Sequence, residues 1–468
     1  MEKIKFGTDG WRGIIADDFT FPNVAKVTQS VANYLRGLKK EEPKIVIGYD
    51  NRFFSEKFAE KVAEVLTANG IKVLISNTAV PTPATAFMVK EKQLDGAFMI
   101  TASHNPYYYN GIKFIPEYAG PAHTGITSQI EAELIKVENI KVLPIKKVQE
   151  KGLVEYYSAQ GAYFRHLDTL LDRKVIRESK LKIVVDYLYG AGIGYHENYL
   201  KDDAEVLALH NNRNPLFDNL YPDPVEKNLG LLRETIKKEG ANIGIALDGD
   251  ADRFGIVDEQ GNFYTPNQIF TLLLPYLIET RNLDGPIYRT VATTHQLDEI
   301  AHQFKLPVVE TPVGFKYIAE GFLKDNAIFG AEESGGMSIQ GHIPEKDGIL
   351  TSLLVVEMVA RSKKPLSQIW QENCDKYGRL YQERVDLELS QEVKTKLVAM
   401  VNDFQGEQIG NRVIKETITI DGKKFIFDNS WCLVRPSGTE NVIRIYFEAN
   451  EKDDLEKLKN EVLNWLEQ

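Results

Sequence analysis

The sequence predicts an α/β protein: three α/β units of similar size followed by a smaller α+β unit. Strand-like and helix-like stretches alternate along most of the chain. Polar, chemistry-bearing loops follow predicted strands, as expected where ligands gather beyond the carboxyl ends of sheet strands. From residue 371 the pattern changes to a charged helix, a hairpin signal and a terminal helix. The 468 residues fit this division, since roughly 150 residues make one domain.

In the first unit, placed at 1–150, Lys44 to Gly48 reads as a short buried strand. Ser55 stands where an N-cap would, ahead of the helical spacing Phe58, Val62, Val65 and Leu66. Gly70 stops that helix, and Ile71 to Ile75 is the next strand. A second helix, Ala84 to Lys92, leads to the strand Gly96 to Ile100. In the second unit, 151–255, Leu181 to Val185 and Ile243 to Leu247 are strands. In the third, 256–370, strands are expected at Ile287 to Val291, at Pro307 to Glu310 and around Ala327 to Phe329. The repeat is architectural, without self-similarity in sequence. The last unit, 371–468, carries a helix (Gln391 to Phe404), strands Thr417 to Ile420 and Lys424 to Phe427 about an Asp421-Gly422 turn, a strand Val442 to Glu448, and a helix Asp453 to Leu466.

Composition narrows the function classes. Hydrophobic residues are 43% and charged residues 26%, so the chain has the makings of real cores. No apolar run reaches the roughly 18 residues of a membrane-spanning helix. The first residues lack an apolar signal core, and two cysteines, Cys374 and Cys432, fit a reducing compartment, so a cytoplasmic location is expected. A formal charge of −11 disfavours a nucleic-acid partner but not an anionic small substrate, because local cations can dominate a cleft.

Four loops carry the chemistry. Thr101-Ala102-Ser103-His104-Asn105-Pro106, continuing to Lys113, offers a nucleophile or phosphate carrier, or else a turn with local hydroxyl bonds. It lacks the Gly-x-Ser-x-Gly elbow of a hydrolase. In Asp248-Gly249-Asp250-Ala251-Asp252-Arg253, three alternate carboxylates can converge on a hard cation, Mg²⁺ or Ca²⁺; the competing reading is a solvated acidic turn. Arg253 stands where a calcium loop needs glycine, and an arginine beside such a site suits a phosphate. Gly330-Ala331-Glu332-Glu333-Ser334-Gly335-Gly336 presents carboxylate and hydroxyl to bond a sugar edge, or forms a plain turn; Lys346 follows downstream. Arg435-Pro436-Ser437-Gly438-Thr439-Glu440-Asn441 makes a phosphate cradle or a hairpin turn. Together they form a phosphoryl-transfer set for a sugar phosphate.

Read on these motifs, in this order from Phe6 to Asn441, the chain resembles the α-D-phosphohexomutases, the phosphoglucomutase and phosphomannomutase group. The resemblance implies four domains, the α/β ones with mixed sheets, around one central cleft. It implies that Ser103 is phosphorylated and that Asp248, Asp250 and Asp252 hold Mg²⁺ together with an oxygen of phosphorylated Ser103. Arg253 would steady the phosphoryl group, Glu332 and Ser334 would bind ring hydroxyls, and Arg435, Ser437, Gly438 and Thr439 would grip the distal phosphate. Arg12, in Phe6-Gly7-Thr8-Asp9-Gly10-Trp11-Arg12-Gly13, matches a cleft arginine; His104, Lys113 and Lys346 match proton-transfer or phosphate-contacting positions. The implied reaction passes a phosphoryl group between O1 and O6 of a hexose through a hexose 1,6-bisphosphate, in a monomer or homodimer. Bifunctional phosphomannomutase/phosphoglucomutases and phosphoglucosamine mutases typically carry histidine where Gly336 stands, and Glu332-Glu333-Ser334 and Thr311 to Lys316 resemble glucose-preferring members. Glucose is therefore the expected sugar, with mannose, alone or alongside glucose, the alternative. Phosphoglucosamine mutase, a Mg²⁺-dependent sugar phosphatase and a non-catalytic relative stand further off.

Overall fold

A computed structural model describes residues 4–6, 10–39, 42–438 and 441–467. The first sheet holds β1 (Trp11–Ile14), β2 (Lys44–Tyr49), β3 (Lys72–Ser76), β4 (Gly96–Ile100), β5 (Tyr109–Pro116) and β6 (Val154–Tyr157), ordered β1-β5-β4-β2-β3-β6. The second holds β7 (Lys182–Asp186), β8 (Glu205–Leu209), β9 (Ile243–Leu247), β10 (Phe254–Asp258) and β11 (Phe263–Tyr264), ordered β11-β10-β9-β7-β8. The third holds β12 (Ile287–Thr290), β13 (Val308–Thr311), β14 (Phe329–Glu332) and β15 (Gly336–Ile339), ordered β13-β12-β14-β15.

These sheets share one plan. Each has parallel strands (β2, β3, β4 and β6; β7, β8 and β9; β12, β13 and β14). The inner ones are buried, with β2, β7 and β9 reading as apolar runs, while the edge strands β6, β8 and β13 are partly exposed. The chain then turns back into an antiparallel strand: β4 into β5, β9 into β10, β14 into β15. The Ser103, Asp248–Asp252 and Glu332–Ser334 loops occupy this one turn, once per unit. Beside a short separate pair, β17 (Gln408–Ile409) and β18 (Arg412–Val413), the last unit forms an antiparallel sheet from β16 (Tyr381–Glu388), β19 (Glu416–Ile418), β20 (Lys423–Ile426), β21 (Ser430–Pro436) and β22 (Val442–Ala449), ordered β16-β22-β21-β20-β19. Its cradle also lies in an antiparallel turn, between β21 and β22.

Four details differ from the sequence reading. The helix Ser55–Ala68 begins at Ser55, capped from a left-handed Phe54, and the Ser55 hydroxyl donates instead to Asp50 Oδ1 at 2.8 Å. The second helix starts at Thr82, not Ala84, because Pro83 suits a first turn. The strand before Asp421-Gly422 ends at Ile418, leaving a four-residue turn rather than two. The first sheet takes in Val154–Tyr157, the second runs to Tyr264 and the helix Leu366–Tyr377 crosses residue 370, so the units extend past bounds of 150, 255 and 370.

One buried cluster runs through the first three units, from Val46 and Phe87 through Ile183 and Leu247 to Leu273 and Phe329. Each buried Leu, Ile or Phe is worth roughly 1.5–3 kcal/mol, so a shared core of this kind holds the three loop-bearing turns in fixed relation. The last unit has its own core around Phe425, Phe447 and Leu458. A small cluster, including Val291, Trp431 and Tyr446, joins it to the third unit.

Candidate active site

Ser103 sits in the β4–β5 turn with φ 50, in the left-handed region, at an expected cost on the order of 1–2 kcal/mol for a residue with a Cβ. Its backbone N–H donates to Thr101 Oγ1 at 2.9 Å, and its hydroxyl donates to Asp248 Oδ2 at 2.7 Å. The β9–β10 turn lies directly against it: a Cβ on Gly249 would stand 2.4 Å from the Ser103 carbonyl oxygen. Glycine is required there for close approach, not for an unusual φ.

Asp248, Asp250 and Asp252 are buried, and one oxygen of each lies within 4.8 Å of the others. Lys113 Nζ donates to Asp250 Oδ2 at 2.9 Å and Asp252 Oδ2 at 3.0 Å, and Lys346 Nζ is 3.3 Å from Asp252 Oδ2. Thr82, at the start of its helix, donates its hydroxyl to Asp250 Oδ2 and its N–H to the Asp250 carbonyl. Burial, then Asp250 and Asp252, drive the Asp248 carboxyl well above the usual range. At Asp252 burial also pushes up, but Lys113, Lys346 and Arg253 outweigh it and hold the carboxyl well below that range. Oδ1 of Asp250 and of Asp252 are buried without a hydrogen-bond partner. Hard oxygen donors left unpartnered in one loop fit Mg²⁺ or Ca²⁺.

Arg253 bonds Asp248 Oδ1 through its backbone N–H at 3.1 Å, and its Nη1 lies 3.1 Å from His104 Nδ1. His104 Nδ1 is also 3.4 Å from Ser103 Oγ. Burial, then the charges of Arg253 and Arg12, hold His104 well below its ordinary pKa, so the ring is neutral beside the serine. Arg12, on β1, donates from Nη1 to Asn105 Oδ1 at 2.7 Å and thereby meets the serine loop.

In the β14–β15 turn Ser334 donates to Glu332 Oε1 at 2.7 Å, while Glu332 Oε2 is buried without a partner. Glu333, which also lines the cleft, accepts from Thr290 Oγ1 at 3.0 Å and from the Tyr446 hydroxyl at 3.3 Å. A Cβ on Gly336 would stand 2.5 Å from Lys346 Cδ, so Lys346 fills the space a side chain at 336 would need. In the last unit Arg435 Nε donates to Asp421 Oδ2 at 2.7 Å. The N–H of Ser437 is spent on the Val442 carbonyl, and a Cβ on Gly438 would meet open space. Thr439 lies outside the described residues.

A cleft of about 3040 Å³ joins these parts; Arg12, His104, Arg253, Glu332, Lys346 and Arg435 line it, as do Ser334, Ser437 and Gly438. All four units thus contribute. Ser103, Lys113 and the three aspartates are buried (Ser103 is 1% exposed) and meet the cleft through His104, Arg253 and Lys346.

Comparison with known proteins follows the same division. Family models described as phosphoglucomutase/phosphomannomutase match in four blocks: alpha/beta/alpha domain I at 3–141, domain II at 161–261, domain III at 265–377 and the C-terminal domain at 386–464. The "Phosphoglucomutase/phosphomannomutase" of Thermococcus kodakarensis is 31% identical over 96% of this chain and 95% of its own. The chain belongs to the phosphoglucomutase/phosphomannomutase family. A "Probable phosphoglucosamine mutase" of Methanosphaera stadtmanae is 31% identical over 98% of both chains, and the "Phosphoglucomutase" of Komagataeibacter xylinus 29% over 96% of this chain and 88% of its own. A "putative phosphomannomutase" structure from Thermus thermophilus superposes with a TM-score of 0.87 at 32% identity, covering 100% and 99%.

The family member described here is accordingly an enzyme, a phosphomutase that moves a phosphoryl group within its substrate. Among its described residues no helix is long and apolar enough to cross a membrane. Sequence reasoning passed over Arg52 and Thr82, and took Asp421 only as a turn residue. The polar run Asp50-Asn51-Arg52, straight after a buried strand, was the available signal for the first. Thr82 and Asp421 carry none, since their partners stand 168 and 14 residues away.

Proposed function

We propose that this phosphohexomutase interconverts glucose 1-phosphate and glucose 6-phosphate, with Ser103 as the phosphoryl carrier and glucose 1,6-bisphosphate as the intermediate. The observation that carries this is the 2.7 Å bond from Ser103 Oγ to Asp248, in a buried carboxylate cluster that meets a four-sided cleft. Phosphorylated Ser103 gives its phosphoryl group to the free hydroxyl of the sugar phosphate, the bisphosphate turns over in the cleft, and its other phosphate returns to Ser103. Asp248, Asp250 and Asp252 would hold Mg²⁺ beside phosphorylated Ser103, where it would supply charge that offsets the negative charge of the transferring group. Arg253 adds a guanidinium beside it, partly buried in the cleft wall, where such charges act more strongly than in open water.

Neutral His104, whose Nδ1 lies 3.1 Å from Arg253 Nη1 and 3.4 Å from Ser103 Oγ, helps orient Arg253 beside the phosphoryl group, and Lys346 stands on the substrate side, between the sugar loop and Asp252. Lys113 keeps Asp250 and Asp252 oriented. Glu332 and Ser334 bind ring hydroxyls, and the unpartnered Glu332 Oε2 suits a sugar donor. Arg435, Ser437 and Gly438 grip the phosphate that is not reacting, the role the sequence also expects of Thr439, and Arg12 lines the same cleft. Lys346 leaves no room for a side chain at 336, where bifunctional phosphomannomutase/phosphoglucomutases and phosphoglucosamine mutases are expected to carry histidine; this counts most against glucosamine and supports glucose over it.

The test is Mg²⁺-dependent conversion of glucose 1-phosphate to glucose 6-phosphate, primed with glucose 1,6-bisphosphate, for wild type and Ser103→Ala. Turnover in the wild type that disappears in the variant is expected. The same assay with mannose 1-phosphate and glucosamine 1-phosphate measures the sugar preference, and a higher kcat/KM for either would reassign the substrate. The names of several relatives make glucosamine the comparison that matters most.

A further inference from the structure

Arg52 has no part in the reaction just described, yet it is the largest side chain with essentially no exposure. It follows β2 and every guanidinium group is engaged. Nε donates to Asp50 Oδ2 at 3.1 Å; Nη1 donates to the carbonyls of Pro106 (2.7 Å) and Tyr109 (3.1 Å); Nη2 donates to those of Ser103 (2.5 Å) and Asn105 (2.7 Å). Four carbonyls of the serine loop converge on one planar fork, a geometry that a lysine ammonium cannot copy. Asp50 is itself held by the Ser55 hydroxyl and the Arg52 N–H.

The second unit covers this hub. The Phe217 ring lies over the guanidinium, 5.0 Å from its carbon, and Phe217, Asp218 and Asn219 all have left-handed φ (48, 54 and 61). Asn51 donates to the Tyr189 and Gly190 carbonyls of that unit at 3.1 and 2.9 Å. The carbonyl that Arg52 takes from Ser103 is also the oxygen against which Gly249 is packed. One cation thus holds the serine loop in its left-handed turn and sets it against the acidic loop. A buried charge is costly to keep, and here it is retained with a carboxylate counter-ion and a full set of carbonyl acceptors.

We infer that Arg52 is a positioning residue that clamps the Ser103 loop so that the serine oxygen faces Asp248, and that Phe217 of the second unit seals the clamp. The inference rests on reading Ser103 as the phosphoryl carrier. Arg52 does not line the cleft, so its loss should touch the chemical step and leave binding alone.

Arg52→Lys keeps the charge and loses the fork. It should lower kcat and the single-turnover rate of Ser103 phosphorylation by glucose 1,6-bisphosphate together, by roughly 100-fold, as a displacement near 1 Å can do. KM for glucose 1-phosphate should stay within about twofold of wild type. Phe217→Leu keeps the apolar cover but not the ring and should cost about threefold to tenfold in kcat. An unchanged kcat in Arg52→Lys, or a KM that rises as far as kcat falls, overturns the clamp. Amide hydrogen exchange gives a readout independent of turnover: residues 101–111 should exchange faster in Arg52→Lys while 330–336 do not change. Equal exchange across 101–111 overturns the inference. Faster exchange there, in a chain whose Ser103 is never phosphorylated, would support the clamp and count against the carrier reading. If Arg52→Lys does not fold, Phe217→Leu decides by the same two measurements.

Discussion

Gly249 shows how one missing carbon positions two loops. Its Cβ would press on the Ser103 carbonyl oxygen, so Gly249→Ala should push the acidic loop off the serine loop and lower kcat at least ~10-fold. Steady-state kinetics, with Mg²⁺ varied, checks this, and wild-type kcat would mean that the two loops do not need that contact. Arg435, proposed to meet the other end of the substrate, has its guanidinium oriented by Asp421 through a 2.7 Å bond. Arg435→Ala should raise KM for both glucose phosphates by about 10-fold or more, since each half-reaction presents a phosphate there. Unchanged KM values would remove it from the cradle. The serine and the three aspartates were legible because each group lies in one short stretch of chain. Arg52, Thr82 and Asp421 were not, because their partners come together only by folding.

The element that matters is the turn from a parallel strand into its antiparallel neighbour. It recurs at β4–β5, β9–β10 and β14–β15, and each time carries the polar motif. The strands were readable as apolar runs. Their pairing direction was not, since periodicity does not say which neighbour a strand will find. Ser55 illustrates the limit: it looks like an N-cap, but Asp50 competes for its hydroxyl and wins. The helix Tyr195–Leu200 offers a test of how deeply a side chain is committed. Burial holds His196 at about 4, against 6.5 in the open chain, and its Nε2 pairs with Ser352 Oγ at 2.9 Å. Between those pH values the unfolded chain takes up a proton that the folded one refuses, so this residue's contribution falls as pH drops from 6.5 toward 4. Urea unfolding should show wild type losing up to ~3 kcal/mol relative to His196→Gln across that window. Parallel pH curves would mean that the ring is protonated or rearranged in the fold.

At the scale of the molecule, the charge of −11 does not describe the cleft, whose wall mixes both signs: Arg12, Lys316, Arg253, Lys346, Arg384 and Arg435 line it beside carboxylates such as Asp223, Glu332 and Asp421. Walls of low dielectric focus the nearest cations on an incoming phosphate. Raising the ionic strength roughly tenfold should therefore raise KM for glucose 1-phosphate several-fold with little change in kcat. An unaltered KM would place the attraction in direct contacts alone. The last unit carries the Arg435–Gly438 loop and is fastened to the third by polar ties as well as by its small apolar cluster. Lys424 donates to the Val291 carbonyl at 2.8 Å and to Glu310 at 3.0 Å, and the Val313 N–H donates to Asp421 at 3.0 Å. Asp421 therefore meets both Arg435 and the loop at 311–316.

By itself the sequence determined the layer class, the division into three similar units and a different fourth, and the four motifs with their family. These depend on local composition and spacing, which act within a few residues. It took the tertiary structure to bring all four motifs to one cleft, to bring Lys113 and Lys346 from different units to the same carboxylate, Asp252, and to set Arg52 against the carbonyls of the serine loop. Those relations join residues far apart in the chain, and they arise when buried polar groups, shut off from water, must find partners among whatever the packed core brings near.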